Sequence, residues 1–325
     1  MADDDWEVPS ALQPDPADYS FDLKAKLDAV VALKALVPPD AFSASSLGTE
    51  REGNAVLIDA KGLFLTIGYL VMESETIWLT ANNGRVVQGH CLALDTETGF
   101  ALVQSLGRID GLVPLEFGDS STLKANDAII LGASGGPSRA VAGHVASRQP
   151  FAGYWEYLLE DAIFTSPAHP HWGGTACLNM DGRLVGIGSL ILQQGERGGR
   201  RLDLNMVVPI QELTPILPAL LRQGHSEAPP RPWLGMLAVE EEEGVSVGSV
   251  TKGAPAERAG VRAKDRILAV GQENVSDLPG LWRAIRALGN AGVPVPLRIE
   301  RNDRVMTLTP QSADRRVFLK QPRLH

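Results

Sequence analysis

Few side chains in this sequence are equipped for chemistry. Two cysteines, Cys91 and Cys177, and six histidines are spread over 325 residues. They crowd together once, in His169-Pro170-His171-Trp172-Gly173-Gly174-Thr175-Ala176-Cys177. A thiol beside an imidazole could supply a nucleophile and its base, but such a pair needs a third group to orient the ring, and none is evident in this segment. On an extended segment His169 and His171 point the same way, so a metal there would still need a ligand from elsewhere. The run around Cys177 reads as a buried strand, where a free cysteine is ordinarily a small core residue. Both histidines therefore read as loop residues, and no metal and no cofactor is implied. Two cysteines also make neither a disulfide framework nor a four-thiolate zinc site.

Charge and composition narrow the partners. Asp and Glu number 39 against 30 Lys and Arg, a net charge of −9, so the positive footprint of a nucleic-acid binder is missing. With 44% hydrophobic and 21% charged residues the chain is globular rather than disordered. Its length predicts two or three domains of roughly 100–200 residues. The start is acidic and the first lysine is Lys24, unlike a secretory leader. No apolar stretch approaches the roughly 18 residues that suggest a membrane span. The expectation is a soluble cytoplasmic protein, periplasmic only if the gene start is truncated.

The elements that must position these groups are mostly strands. Residues 1–20 carry Pro9, Pro14 and Pro16 and read as irregular. Leu23, Leu27, Val30, Val31 and Lys34 recur at helical spacing, predicting a helix over 21–36 that stops at Pro38-Pro39. From about residue 53 short β-like runs alternate with turns. They include Ala55–Ile58, Leu63–Thr66, Thr76–Leu79, Ala101–Val103, Ala128–Leu131, Val141–Ser147, Leu184–Leu192 and Leu202–Val208. This density suggests a sandwich or barrels. Pro209 and Gly224 frame a predicted helix over Ile210–Arg222. Residues 225–232 are proline-rich and read as a linker. Beyond them strands near 234–239, 245–250, 266–270, 295–301 and 304–309, with a helix near 278–288, form a separate α+β pattern.

That last pattern carries the sharpest motif: Val245–Val250, then Gly253-Ala254-Pro255-Ala256, Ala259-Gly260-Val261 and Asp265-Arg266-Ile267-Leu268. Physically, Ala256–Ala259 is a short helix closed by Gly260 at positive φ, and the following strand buries Ile267 and Leu268. The segment resembles the PDZ domains of bacterial HtrA-type proteins. The resemblance implies a groove for peptides or protein C-termini, with Trp233-Leu234-Gly235-Met236 as strand and carboxylate loop and Leu281, Ile285 and Leu288 facing the ligand from the helix. Read without it, these apolar residues are core.

The middle region resembles the trypsin-like domain of the same family over about 170 residues. The matching pieces are Gly53–Ile58, Gly62–Thr66, Asp95–Thr98 with Ala101–Val103, Phe117–Ser120, Leu131–Gly135, Val141–Arg148, Asp181–Ile187 and Asn205–Ile210. The implied fold is an all-β trypsin-like double β-barrel followed by an α+β PDZ domain. Expected boundaries are an N-terminal segment with a short helix at 1–45, the double barrel at 46–224, the linker at 225–232, the PDZ domain at 233–312 and a tail at 313–325.

The resemblance also locates the slots of a Ser-His-Asp triad. The histidine slot, after Leu65-Thr66, holds Tyr69, whose phenol is a poor base near neutral pH. The carboxylate slot holds Gly99, with Asp95 retained as a turn residue. The nucleophile slot holds Gly173. The oxyanion-loop remnant is His171, Trp172 and Gly173, and Trp172 is placed to fill the cleft. The reading is a triad-less relative that binds peptides, protein C-termini or unfolded segments as adaptor, regulator or chaperone-like protein. The alternatives are an active endopeptidase with a nonstandard catalytic group, and a regulatory subunit of an active family member. HtrA relatives are commonly trimers, so the 21–36 helix with Trp6, Tyr19 and Phe21 would serve a homotrimer or hetero-assembly, or else cover its own barrel.

Overall fold

The computed structural model describes residues 6–197 and 200–320. It divides into two compact units. One runs to Gln149 and resumes over Asp161–Glu227; the other joins Pro150–Glu160 to Ala228–Leu319.

In the first unit, β1 (Val30–Leu36), β2 (Glu50–Leu57), β3 (Leu63–Ile67), β4 (Thr76–Thr80), β5 (Val86–Leu94) and β6 (Phe100–Ser105) close into a barrel in the order β1-β2-β3-β6-β5-β4. β7 (Ala128–Gly132), β8 (Ala140–Gly153), β9 (Tyr157–Ser166), β10 (Ala176–Leu178), β11 (Leu184–Arg197) and β12 (Arg200–Pro209) close a second, in the order β10-β11-β12-β9-β8-β7. Closure leaves no free sheet edge. β3 is buried at every position, which is why it reads as a continuous apolar run. β10 buries Cys177 in the second core beside Leu131 and Val185, as a core thiol.

Two sequence expectations need correction. Residues 21–36 are not one helix. Asp22 caps a short helix α1 (Leu23–Asp28), which buries Leu23 and Leu27. The chain then turns into β1, whose Val31, Leu33 and Ala35 point inward while Lys34 and Leu36 do not. Tertiary pairing overrides the helical spacing, because β1 is laddered on both sides, to β2 and to β4. The stretch expected as an N-terminal appendage thus supplies a barrel strand. Likewise, Ile210–Glu212 is a single 3₁₀ turn, and the helix proper starts only at Leu217, because Pro215 and Pro218 cannot donate to a continuous ladder.

Short helices α2 (Ala44–Leu47), α3 (Gly68–Val71) and α4 (Leu217–Gln223) complete this unit. Its N-terminal aromatics lie on its own second barrel. Trp6, Val8 and Leu12 join that barrel's core, the Val8 amide donates to the Ser138 carbonyl, and Phe21 lies over Gly182.

The second unit is a sheet in the order β13-β14-β15-β17-β18: Met236–Glu241, Gly244–Val250, Arg266–Val270, Leu297–Arg301 and Arg304–Leu308, with β16 (Glu273–Asn274) beside β15. Helix α5 (Pro255–Arg258) is followed by Gly260 at φ 84°, as expected. Helix α6 (Leu278–Ala287) is capped by Asp277 and buries Leu281, Trp282 and Ile285. Ile267 is buried but Leu268 only half-buried, since alternate residues of β15 face opposite sides. The buried Asp265 accepts a forked pair of bonds from Arg301, both at 2.6 Å. Residues 313–319 of the tail belong to this unit, where Ala313 pairs with Trp233 and Phe318 lies against its ring.

The Leu27 side chain fills the space that a Cβ on Gly132 of β7 would need. Leu27→Ala is therefore expected to cost about 2–5 kcal/mol in urea unfolding. A cost below about 1 kcal/mol would mean that α1 is not part of the barrel core.

Candidate functional site

The expected triad slots converge on a loop between the barrels, and Asn54 of β2 fixes that loop. Its amide donates to the Gly173 carbonyl at 2.8 Å, and its side-chain nitrogen to the carbonyls of Gly173 and His171 at 3.0 and 3.2 Å. Its side-chain oxygen accepts from the Ser134 amide, and its carbonyl from the Thr66 hydroxyl. The next residue, Gly174, approaches so closely that a Cβ there would overlap the Asn54 carbonyl oxygen.

Tyr69 sits on α3, directly after β3. Buried Arg51 holds this turn by donating to the Tyr69 and Met72 carbonyls at 2.8 and 2.9 Å. The phenol reaches across to donate to the Ser189 carbonyl at 2.7 Å and meets the Trp172 side chain in a second hydrogen bond. Burial raises its pKa well above the ordinary value, so the group stays protonated. A Cβ at Gly173 would lie 2.8 Å from the Tyr69 hydroxyl oxygen. Tyrosine at 69 and glycine at 173 are thus sterically matched. Gly99 adjoins them through the backbone, its carbonyl accepting from the Gly68 amide at 2.7 Å. Asp95 accepts from the Thr98 amide and hydroxyl, closing a turn as expected. The three slots come together, and the side chain present there is a neutral phenol whose partners are a carbonyl and an indole.

In the expected oxyanion-loop remnant, the His171 amide already has an acceptor. The His171 amide turns away to donate to His169 Nδ1 at 3.0 Å. This places the His169 proton on Nε2, which donates to the Arg139 carbonyl at 2.9 Å. Asn205 clamps His169 from both sides, accepting from its amide and donating to its carbonyl. His169 is therefore a buried anchor rather than an ordinary loop residue, while the His171 ring stacks on Trp6 with centroids 4.1 Å apart. The Thr175 hydroxyl is buried and donates to the Trp172 carbonyl. Burial pushes the Cys177 thiol up to about 12, which leaves no thiolate at neutral pH.

The PDZ residues form a second candidate site. Trp233, Leu234, Gly235, Met236, Leu281 and Ile285 are all buried, whereas Leu288, capping α6, is 36% exposed. The amides of Leu234, Gly235 and Met236 converge on one acceptor, the Glu156 carboxylate, at 2.8, 2.6 and 2.9 Å. Glu156 belongs to the Pro150–Glu160 hairpin of the same unit. Burial pushes its carboxyl up to about 7, although the three amides and the charge of Arg315 pull it down. The hairpin makes further contacts here. The Tyr154 carbonyl accepts from Ala238 of β13, the Gly153 carbonyl from the Trp282 indole and the Leu158 carbonyl from Arg286, each at 2.9 Å. Leu158 joins the core that contains Met236, Leu281 and Ile285. Sequence reasoning missed Glu156. The available signal was Phe151, Tyr154, Trp155 and Tyr157, too many aromatics for a solvated hairpin tip.

The buried imidazole makes a pH test available. Burial, the largest influence, lowers the His169 pKa to about 4, below its ordinary 6.5. Between these values the unfolded chain binds the extra proton, so stability falls as pH drops from 6.5 towards 4, by up to about 3 kcal/mol. Urea midpoints of the wild type should show this loss on going from pH 7 to pH 4.5, and His169→Gln should show much less of it. Identical pH dependence in both would contradict the assignment of a neutral, buried ring.

Comparison with known proteins fits this two-part arrangement. The trypsin-like peptidase domain family matches residues 53–187, and the PDZ domain family matches residues 232–310. The putative serine protease HhoA of Synechocystis sp. is 27% identical over 292 residues, covering 82% of this chain and 71% of that protein. The serine protease Do-like HtrA of Bacillus subtilis is 25% identical over 328 residues, covering 90% and 71%. A probable periplasmic serine endoprotease DegP-like of Chlamydia pneumoniae is 26% identical over 270 residues, covering 79% and 54%, so the chain spans about half of that relative. Among solved structures, an HtrA-type protease AlgW with tripeptide superposes with a TM-score of 0.53 at 20% identity, over 95% of this chain and 99% of that one, a likeness of fold. No helix among the described residues is long and apolar enough to cross a membrane. The chain thus carries a trypsin-like peptidase domain followed by a PDZ domain, and along most of its length it is similar to HtrA-type serine proteases.

Proposed function

We propose that this chain is a member of the HtrA family that does not cleave peptide bonds and acts through its PDZ domain, binding peptides or protein C-termini as an adaptor, regulator or chaperone-like protein. The observation that carries the proposal is the Tyr69 hydroxyl lying over Gly173, held by the Ser189 carbonyl and Trp172. Acyl transfer needs a nucleophile with a base beside it and amide donors for the developing oxyanion. At this place there is a glycine, a protonated phenol and a His171 amide already donated to His169. A true protease that loses its triad keeps roughly 10³–10⁴-fold acceleration over water, through its oxyanion hole and binding. Here the His171 amide is already used by His169.

Peptide binding is supported by the PDZ match and by the fold neighbours, solved with a tripeptide and with a decapeptide. Binding to an active family member as its regulatory subunit would use the same groove. The relatives are named as proteases, which favours the second reading, an active endopeptidase with a nonstandard catalytic group.

Unfolded casein separates the two. The wild type is expected to give no cleavage above the protein-free reaction. Gly173→Ser is expected to remain inactive and to lose about 1–3 kcal/mol of stability, because its Cβ meets the Tyr69 hydroxyl. Cleavage that survives repurification and disappears in Thr175→Ala or Cys177→Ala would overturn the proposal and identify the nucleophile.

A further inference from the structure

Three features of the second unit make one pattern. Three consecutive amides, of Leu234, Gly235 and Met236, converge on a single carboxylate. One strand-edge amide, of Ala238 in β13, is taken by a carbonyl of the same hairpin. One apolar side chain of that hairpin, Leu158, enters the core formed by Met236, Leu281 and Ile285. A peptide C-terminus added to a sheet edge needs the same three provisions: donors for its carboxylate, an edge for its backbone and an apolar pocket. All three are met here by Pro150–Glu160.

We infer that this hairpin is an internal competitor for the PDZ groove, with the Glu156 side chain seated where the terminal carboxylate of an incoming peptide would sit. The inference rests on the peptide-binding reading above. A glutamate side chain carries the same two oxygens as a chain terminus and lacks only the free end. Its backbone is held at φ 62°, a left-handed conformation that non-glycine residues adopt rarely and keep when surrounding bonds fix it. The seating is reinforced on both flanks. Trp282 bonds the Gly153 carbonyl, and Arg283 makes a forked pair with Glu160, its shortest bond at 2.7 Å. The ligands that displace the hairpin are extended peptides with a free carboxylate and an apolar terminal residue, because the pocket they enter is lined by Met236, Leu281 and Ile285. Their apparent affinity is the intrinsic affinity reduced by the fraction of molecules whose hairpin is undocked.

The test is an anisotropy titration with fluorescein-labelled decapeptides, randomised except for an apolar C-terminal residue, offered with free carboxylates or as C-terminal amides. Glu156→Ala is expected to bind the carboxylate pool at least about tenfold tighter than the wild type does, and every form is expected to bind the amidated pool more weakly than the carboxylate pool. Glu156→Gln keeps the size and loses the charge. It is expected to move in the same direction, and it carries the test if the alanine variant fails to melt cooperatively. Equal affinity of wild type and both variants for the carboxylate pool would overturn the internal competitor while leaving peptide binding intact. Equal affinity of Glu156→Ala for the carboxylate and amidated pools would overturn the assignment of the amides to a carboxylate. Absence of binding by every form would overturn the peptide-binding reading and this inference with it.

Discussion

The arrangement of the cleft depends on one buried side chain. Asn54 uses its backbone amide, backbone carbonyl, side-chain nitrogen and side-chain oxygen, and every partner is distant in sequence: Gly173, His171, Ser134 and Thr66. A buried polar group without a partner costs about 1–3 kcal/mol, so the loop 171–174 cannot move away without exposing several such groups together. The close approach that results requires glycine at 174. It also fixes where Gly173 lies, under the hydroxyl of Tyr69. A side chain at position 173 would therefore crowd the Tyr69 hydroxyl.

From that constraint the chemistry follows. A side chain at 173 crowds the Tyr69 hydroxyl, and the phenol, kept protonated by burial, is no base. The loop's other donor, the His171 amide, is spent on His169, whose ring is locked in one tautomer by the Arg139 carbonyl. In the PDZ unit the carboxylate-binding amides are likewise occupied, by Glu156. At both places the chain's own side chains satisfy the groups that a substrate or ligand would address. They differ in reversibility. Tyr69 is wedged by packing, whereas Glu156 is held by hydrogen bonds that another carboxylate can replace.

How much of this was legible depended on the range of the interactions. The β runs with local turn chemistry, such as Leu63–Ile67 after Asp59-Ala60-Lys61-Gly62, were readable because a strand's burial is written in its own residues. So was the PDZ pattern, down to Gly260 at positive φ. Tyr69, Gly99 and Gly173 could be nominated from their motifs, and they do come together. The helical reading of 21–36 failed from Val30 onward, where pairing with β2 and β4 outweighs spacing. Asn54 and His169 were opaque, since their roles lie in partners up to 119 residues away. Glu156 was opaque for the same reason. Nothing within its own segment says that the amides of residues 234–236 will surround it.

The most direct measurement on the central claim is intact-mass spectrometry after incubation with excess fluorophosphonate, which forms a covalent adduct with an activated hydroxyl nucleophile. An unmodified chain is the expected result, because position 173 carries no hydroxyl and the Tyr69 phenol beside it stays protonated. A stoichiometric adduct mapping to residues 169–177 would contradict it.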